Sequence, residues 1–135
     1  MLKKINNLIL RNLMNDPNKK FVSKDTGNKS SLKKSLSMFS TGITVVTTVD
    51  RNKNPIGMTV NSFASVSLCP ALVLWSIDKT QPSYDTFLKS DGYAVNILTK
   101  NQENFCSLFS SPVEDKFKNL EWELSDDGHP IIKNT

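Results

Sequence analysis

Residues 55–68 read PIGMTVNSFASVSL, and how they are read decides the fold. Just upstream, residues 43–49 are ITVVTTV, a run of Ile, Val and Thr whose branched side chains suit a pleated surface. The polar DRNKNP between them is a string of turn formers, so Ile43–Val49 and a strand starting near Ile56 are predicted to pair as a hairpin. Beyond that point the stretch departs from an ordinary strand, because Thr59, Asn61, Ser62, Ser65 and Ser67 place hydroxyls and an amide where a core wall is expected. Two readings stand. Either these groups satisfy their own backbone in a loop that follows the strand, or they offer uncharged donors and acceptors to a ligand.

Outward from this stretch the pattern stays β-rich. ALVLWSI, residues 71–77, is continuously apolar up to Ser76 and predicts a strand buried on both faces, and YAVNIL, residues 93–98, predicts another. Between them, TQPSYDTFLKSDG predicts a short helix. Thr80 would cap it, Pro82 falls in its first turn, Tyr84, Phe87 and Leu88 form its inner face, and Gly92 follows its end. A second helix follows in TKNQENFCSLFSS, where Thr99 and Gln102 have capping-box spacing and Phe105, Leu108 and Phe109 form a buried stripe. Downstream come a helical turn at residues 115–117, a strand at Trp122, a DDG turn and a strand beginning at Ile131. Hairpin-linked strands with short helices between them predict a mainly β fold, an antiparallel barrel or an α+β arrangement rather than a doubly wound sheet.

The N-terminal segment is different in kind. Residues 1–35 carry nine Lys or Arg against Asp16 and Asp25, a net +7, and the remainder of the chain sums to −3. Leu2, Ile5, Leu8, Ile9 and Leu13 have helical spacing, residues 15–31 are polar, and Ser31 can cap a short helix bearing Leu32, Leu36 and Phe39. The expected organisation is a basic, flexible arm over residues 1–30 and a single domain over 31–135. The lysines of the arm alternate with Asn, Ser and Asp, and Phe21 is its one aromatic residue, so no nucleic-acid partner is predicted. With no run of roughly 18 apolar residues, no membrane partner is predicted either. Cys69 and Cys106 lack metal or disulfide spacing, and two free thiols fit a reducing, cytoplasmic setting.

Several kinds of chemistry find no support. G-x-S-x-G, H-E-x-x-H, P-loop and G-x-G-x-x-G patterns are absent from the sequence. His129 is the one imidazole and follows the DDG turn, where it reads as a loop residue, as Asp126 and Asp127 read as turn formers. No catalytic and no metal-binding residue is predicted. Lys79 and Thr80, in SIDKT, combine a cation with a hydroxyl at a strand end, a pairing suited to a phosphate if helix amides lie behind it.

The blocks FSTGITVVTT, GMTVNSFASVSLCPALVLWSID, YAVNIL and DKF…W, in this order and spacing, closely resemble the flavin reductase-like family of FMN-binding split barrels. The resemblance runs from about Leu36 to Ile132. It implies a split antiparallel β-barrel with a Greek-key connection and a homodimer. The implied activity is hydride transfer from NAD(P)H to FMN or FAD, in some members to supply a partner oxygenase. By the same resemblance Thr59, Val60, Asn61 and Ser62 would line the flavin ring and ribityl chain, with Ser65 near the phosphate. Ser76, Asp78, Lys79 and Thr80 would add the neighbouring wall and phosphate contacts, and Phe109 would approach from the next helix.

Family members continue beyond GHPII through further strands and a Gly-Asp-His motif on the nicotinamide side, whereas this sequence stops at Thr135. The expectation is therefore a split barrel lacking its C-terminal part. Two functions follow, a working flavin reductase or a flavin-binding remnant without hydride transfer. A third reading, in which the basic arm is the functional element, rests on charge alone.

Overall fold

The β-branched run TVVTTV forms strand β1 (Thr44–Val49), at the centre of the computed structural model, which describes residues 38–135. β1 pairs antiparallel with β2 (Pro55–Val60) on one side and with β5 (Ala94–Ile97) on the other. In the β1–β2 hairpin Val49 faces Pro55 and Thr44 faces Val60. Its turn is fastened by Asp50, whose carboxylate accepts bonds from the Asn52 and Asn54 amides, both at 2.8 Å, and from the Asn54 side chain at 3.0 Å. Lys53 takes the left-handed conformation that closes the turn, with φ 66°.

The stretch 55–68 contains two strands. After β2 the chain turns through residues 61–63 and enters β3 (Ala64–Leu68), which pairs antiparallel with β4 (Ala71–Leu74) in a separate two-stranded sheet with a bulge at Val66. A third small sheet joins β6 (Trp122–Leu124) to β7 (Pro130–Ile132). Helix α1 (Tyr84–Lys89) lies between β4 and β5, and a 3-10 turn (Lys100–Gln102) leads into helix α2 (Glu103–Ser110). The mainly β architecture with short helices is as expected. Among the described residues the three sheets do not close into a barrel.

Several local expectations are corrected. β4 stops at Leu74 and is only half-buried, because its one strand partner is β3, in a two-stranded sheet at the surface. Helix α1 begins at Tyr84 with Ser83 at its N-cap, so Thr80 does not cap it. Phe87 faces inward as predicted, packing edge-on to Trp75, but Leu88 is exposed. Residues 115–117 form no helix, since the Asp115 carboxylate instead accepts a 3.1 Å bond from the Phe117 amide. The predicted arm over residues 1–30 lies outside the described residues, as does most of the helix starting at Ser31, and residues 40–43 are not helical.

Polar side chains inside the fold are paired, except that among the described residues His129 Nδ1 is buried without a hydrogen-bond partner. β1 is buried along nearly its whole length, and its threonines find acceptors. Thr44 donates to the Val60 carbonyl at 3.1 Å, Thr47 to the Pro130 carbonyl, and Thr48 to the Gly92 carbonyl at 2.9 Å. Asn96, 3% exposed, connects β5, β1 and β7. Its amide nitrogen donates to the Val45 carbonyl (3.0 Å) and to the Thr47 hydroxyl (3.1 Å), and its oxygen accepts from the Ile132 amide (2.8 Å). Gln102 oxygen accepts from the Thr99 amide at 2.7 Å, giving the capping-box contact expected, while its nitrogen donates to the Asn134 carbonyl.

The apolar core gathers Val45, Phe109, Phe117 and Ile132, with Phe105, Leu108, Leu120 and Trp122 around them. Phe117 stacks edge-on with both Phe109 and Trp122, at centroid distances of 5.2 and 5.6 Å. Helix α2 approaches β2 closely enough that a Cβ on Gly57 would stand 2.6 Å from the Phe109 ring, so only glycine fits there. Lys116 donates to the Phe109 carbonyl at 2.8 Å, closing the C-terminal end of α2, and its partial burial lowers its pKa.

Replacing Asn96 by Ala leaves the Ile132 amide and the Thr47 hydroxyl short of partners inside the core. The expected loss of unfolding free energy is about 2–4 kcal/mol, read from urea denaturation with an unchanged slope.

Candidate functional site

Strand β2 ends at Val60, and its pairing with Thr44 places residues 59–63 at one end of the central sheet. Here the chain has to leave the sheet, cross to β3 and remain hydrated, which accounts for small polar residues at this point. The crossing is fastened in two places. The Thr59 hydroxyl donates to the Cys106 carbonyl at 2.8 Å, joining β2 to α2, and Ser62 Oγ accepts the Ser76 amide at 2.9 Å, joining the crossing to the segment that leaves β4. The antiparallel pairing of β3 and β4, with Ala64 opposite Leu74, is continued by the Ser62–Ser76 bond, and Asn61, Ser62, Ser65 and Ser76 are all exposed.

The continuation through SIDKT is a self-contained turn. Asp78 Oδ1 accepts from the Thr80 amide at 2.8 Å and from the Thr80 hydroxyl at 2.9 Å. Those two bonds, the amide first, hold the Asp78 carboxyl below its usual pKa. Both Thr80 donors are thereby occupied, and α1 begins four residues later, so no helix amides stand behind Lys79. Lys79 is the one cation of this segment and, among the described residues, has no hydrogen bond or ion pair.

The predicted residues thus fall into three groups. Asn61, Ser65 and Lys79 present exposed side chains without partners among the described residues, and the Ser76 hydroxyl is likewise exposed. Thr59, Ser62, Asp78 and Thr80 are bonded to the chain itself. Val60 and Phe109 are core residues, 3% and 1% exposed, so their side chains stand behind this surface rather than on it. The sequence does not single out Ser83, and it marks Cys106 only as a free thiol. Ser83 hydroxyl lies 4.0 Å from Met58 sulfur and the Cys106 carbonyl receives Thr59, both partners distant in sequence, and no local pattern marks them.

A separate cleft of about 480 Å³ lies at the opposite end of β1 and β2, between the Val49–Lys53 turn, α1 and His129. None of the predicted site residues lines it. Among the described residues no cluster of His, Cys, Asp and Glu has the make-up of a metal site, and no helix is long and apolar enough to cross a membrane.

Comparison with known proteins gives the family of the chain. The family described as "Flavin reductase like domain" matches residues 36–135. The reductase component of the flavin-dependent trigonelline monooxygenase of Acinetobacter baylyi is 44% identical over 101 residues, covering 75% of this chain and 33% of the relative. The FMN reductase (NADH) SmoA of Agrobacterium fabrum is 42% identical over 108 residues, covering 80% of this chain and 61% of the relative. Among solved structures, the NADH:FAD oxidoreductase SgcE6 of Streptomyces globisporus superposes with a TM-score of 0.74 at 34% identity, over 82% of this chain and 68% of that one. The chain spans about a third to three-fifths of the length of these two curated relatives.

A carboxylate whose pKa is depressed on folding stabilises its surroundings above its unfolded pKa, and this contribution is lost as pH falls through the folded value. Protection of the Thr80 amide against hydrogen exchange, corrected for intrinsic rate, is therefore expected to hold at neutral pH and to fall below about pH 4. In Asp78→Asn the acid-dependent step should vanish.

Proposed function

Because the chain belongs to the flavin reductase-like domain family, we propose that it binds a flavin nucleotide along the surface formed by residues 59–65 and 76–80, and passes to it the hydride of a reduced nicotinamide nucleotide. The observation that carries this reading is the Ser62–Ser76 bond, which ties the chain bearing the exposed, uncharged polar groups of Asn61 and Ser65 to the segment bearing that of Ser76. Such a donor set suits a flavin. The Asn61 amide both donates and accepts, as the edge of the ring requires, and the serine hydroxyls suit a ribityl chain. Lys79, without a carboxylate partner among the described residues, suits the phosphate. Val60 and Phe109 support the wall from the core side.

When bound, the flavin supplies the redox chemistry, as the hydride acceptor. The chain's own part is to bind, orient and exclude water, holding two rings at reacting distance. That task calls for no side-chain acid or base, in keeping with a surface that has amides and hydroxyls in place of His and Glu. FMN and FAD share the ring, ribityl chain and first phosphate, and these are the parts assigned to Asn61 through Lys79.

Two partners complete the proposal. The first is a second copy of the chain, supported by the apolar exposure of the β3–β4 hairpin, where Val66 is 58% and Leu68 94% exposed. The second is an oxygenase receiving the reduced flavin, supported by the reductase-component names of the relatives.

Titration with FMN should quench its fluorescence, and NADH oxidation should depend on added flavin. A folded protein showing neither overturns the reading, and quenching without oxidation leaves only the binding function. Asn61→Ala should weaken FMN binding about tenfold, the equivalent of one hydrogen bond. If the hairpin forms the subunit contact, Leu68→Asp should shift sedimentation from dimer to monomer with the fold intact, since Leu68 lies outside the core.

A further inference from the structure

We infer that Thr59 and Ser62 are positioning residues of the candidate site, acting on a flavin through the chain's own backbone, while direct contact falls to Asn61, Ser65, Ser76 and Lys79. The inference rests on the proposed flavin surface and divides its residues by what their hydrogen bonds leave available.

Thr59 is half-buried at the end of β2, and its hydroxyl proton is given to the Cys106 carbonyl, 47 residues away in α2. That carbonyl lies within a helix that is packed on β2 across Gly57 and capped by Lys116. The bond therefore references the last residues of β2 to a helix that is itself anchored at Gly57 and Lys116. Ser62 makes the complementary connection. Its oxygen takes the Ser76 amide, and both residues lie on exposed connections that no strand pairing restrains. Asn61 sits between the two fastenings. Its side chain has no partner among the described residues, so its direction is set by the backbone that Thr59 and Ser62 hold on either side.

The two fastenings also fix the polarity left over. With its proton committed, Thr59 Oγ1 can only accept further bonds, whereas Ser62 keeps its proton and can still donate. A connection of three residues without these bonds would sample many conformations, and the cost of ordering it would fall on ligand binding. Preorganisation places that cost in folding instead.

The experiment measures FMN affinity, thermal stability and Ser76 amide exchange in the wild-type chain and in Thr59→Val, Thr59→Ser and Ser62→Ala. Thr59→Val keeps the shape and loses the bond, and it should raise the FMN Kd about tenfold at temperatures well below its melting point. Thr59→Ser retains the hydroxyl and should restore affinity to near wild type. Ser62→Ala, on the surface, should fold normally, accelerate Ser76 amide exchange in the ligand-free protein, and weaken FMN in parallel. A lowered melting point with unchanged FMN Kd in both Thr59→Val and Ser62→Ala would mean a purely structural role and overturn the inference. So would failure of Thr59→Ser to rescue. Should Thr59→Val not fold, Ser62→Ala decides alone. A wild-type chain that binds no FMN overturns the functional reading itself, a result distinct from variants that bind as tightly as wild type.

Discussion

The buried amide of Asn96 is the point on which the rest of the structure turns. It is a polar side chain in the middle of an apolar strand, and burying it is tolerable only because both its nitrogen and its oxygen are used. Those partners belong to β1 and β7, so the bonds that make Asn96 tolerable also attach the C-terminal hairpin to the central sheet. Thr47 extends the network by accepting from Asn96 and donating to Pro130. Networks of this kind specify one arrangement, because a shifted strand leaves several groups unpaired at once.

Anchoring at Asn96 has a consequence at the site. β1, β2 and β5 form a sheet whose central strand is buried on both faces, and α2 is pressed against it across Gly57 and Phe109. The ends of this sheet are thus held in place, and loops leaving them inherit a defined starting point. Thr59, the penultimate residue of β2, and Ser62, two residues beyond its end, carry that definition into a connection that has no strand pairing of its own. The proposed flavin wall of amides and hydroxyls is fastened at both ends, whereas composition alone does not distinguish it from a solvated loop.

Much of this was legible in the residues. The β-branched run at 43–49, the polar turn after it and the Thr99–Gln102 box each specify their structure through neighbours a few positions away, and each forms. Expectations failed where the deciding partner was distant. The apolar ALVLWSI reads as a strand buried on both faces, but its burial depends on how many strands pair with it, and β4 has one strand partner. Thr80 is the local exception, since it has the make-up of a helix cap but bonds back to Asp78, two residues before it, and the helix starts only at Tyr84.

By itself the sequence determined the central hairpin, the helix that follows Thr99, the polar character of residues 59–65, and the family resemblance in GMTVNSF and its flanking blocks. Those features rest on local preference, spacing and residue chemistry, which need no knowledge of distant contacts. Only the tertiary structure decided which hydroxyls remain for a ligand and which are consumed by the chain. A hydroxyl's partner is whatever lies within about 3 Å of it, and for Thr59 that partner is a carbonyl 47 residues away.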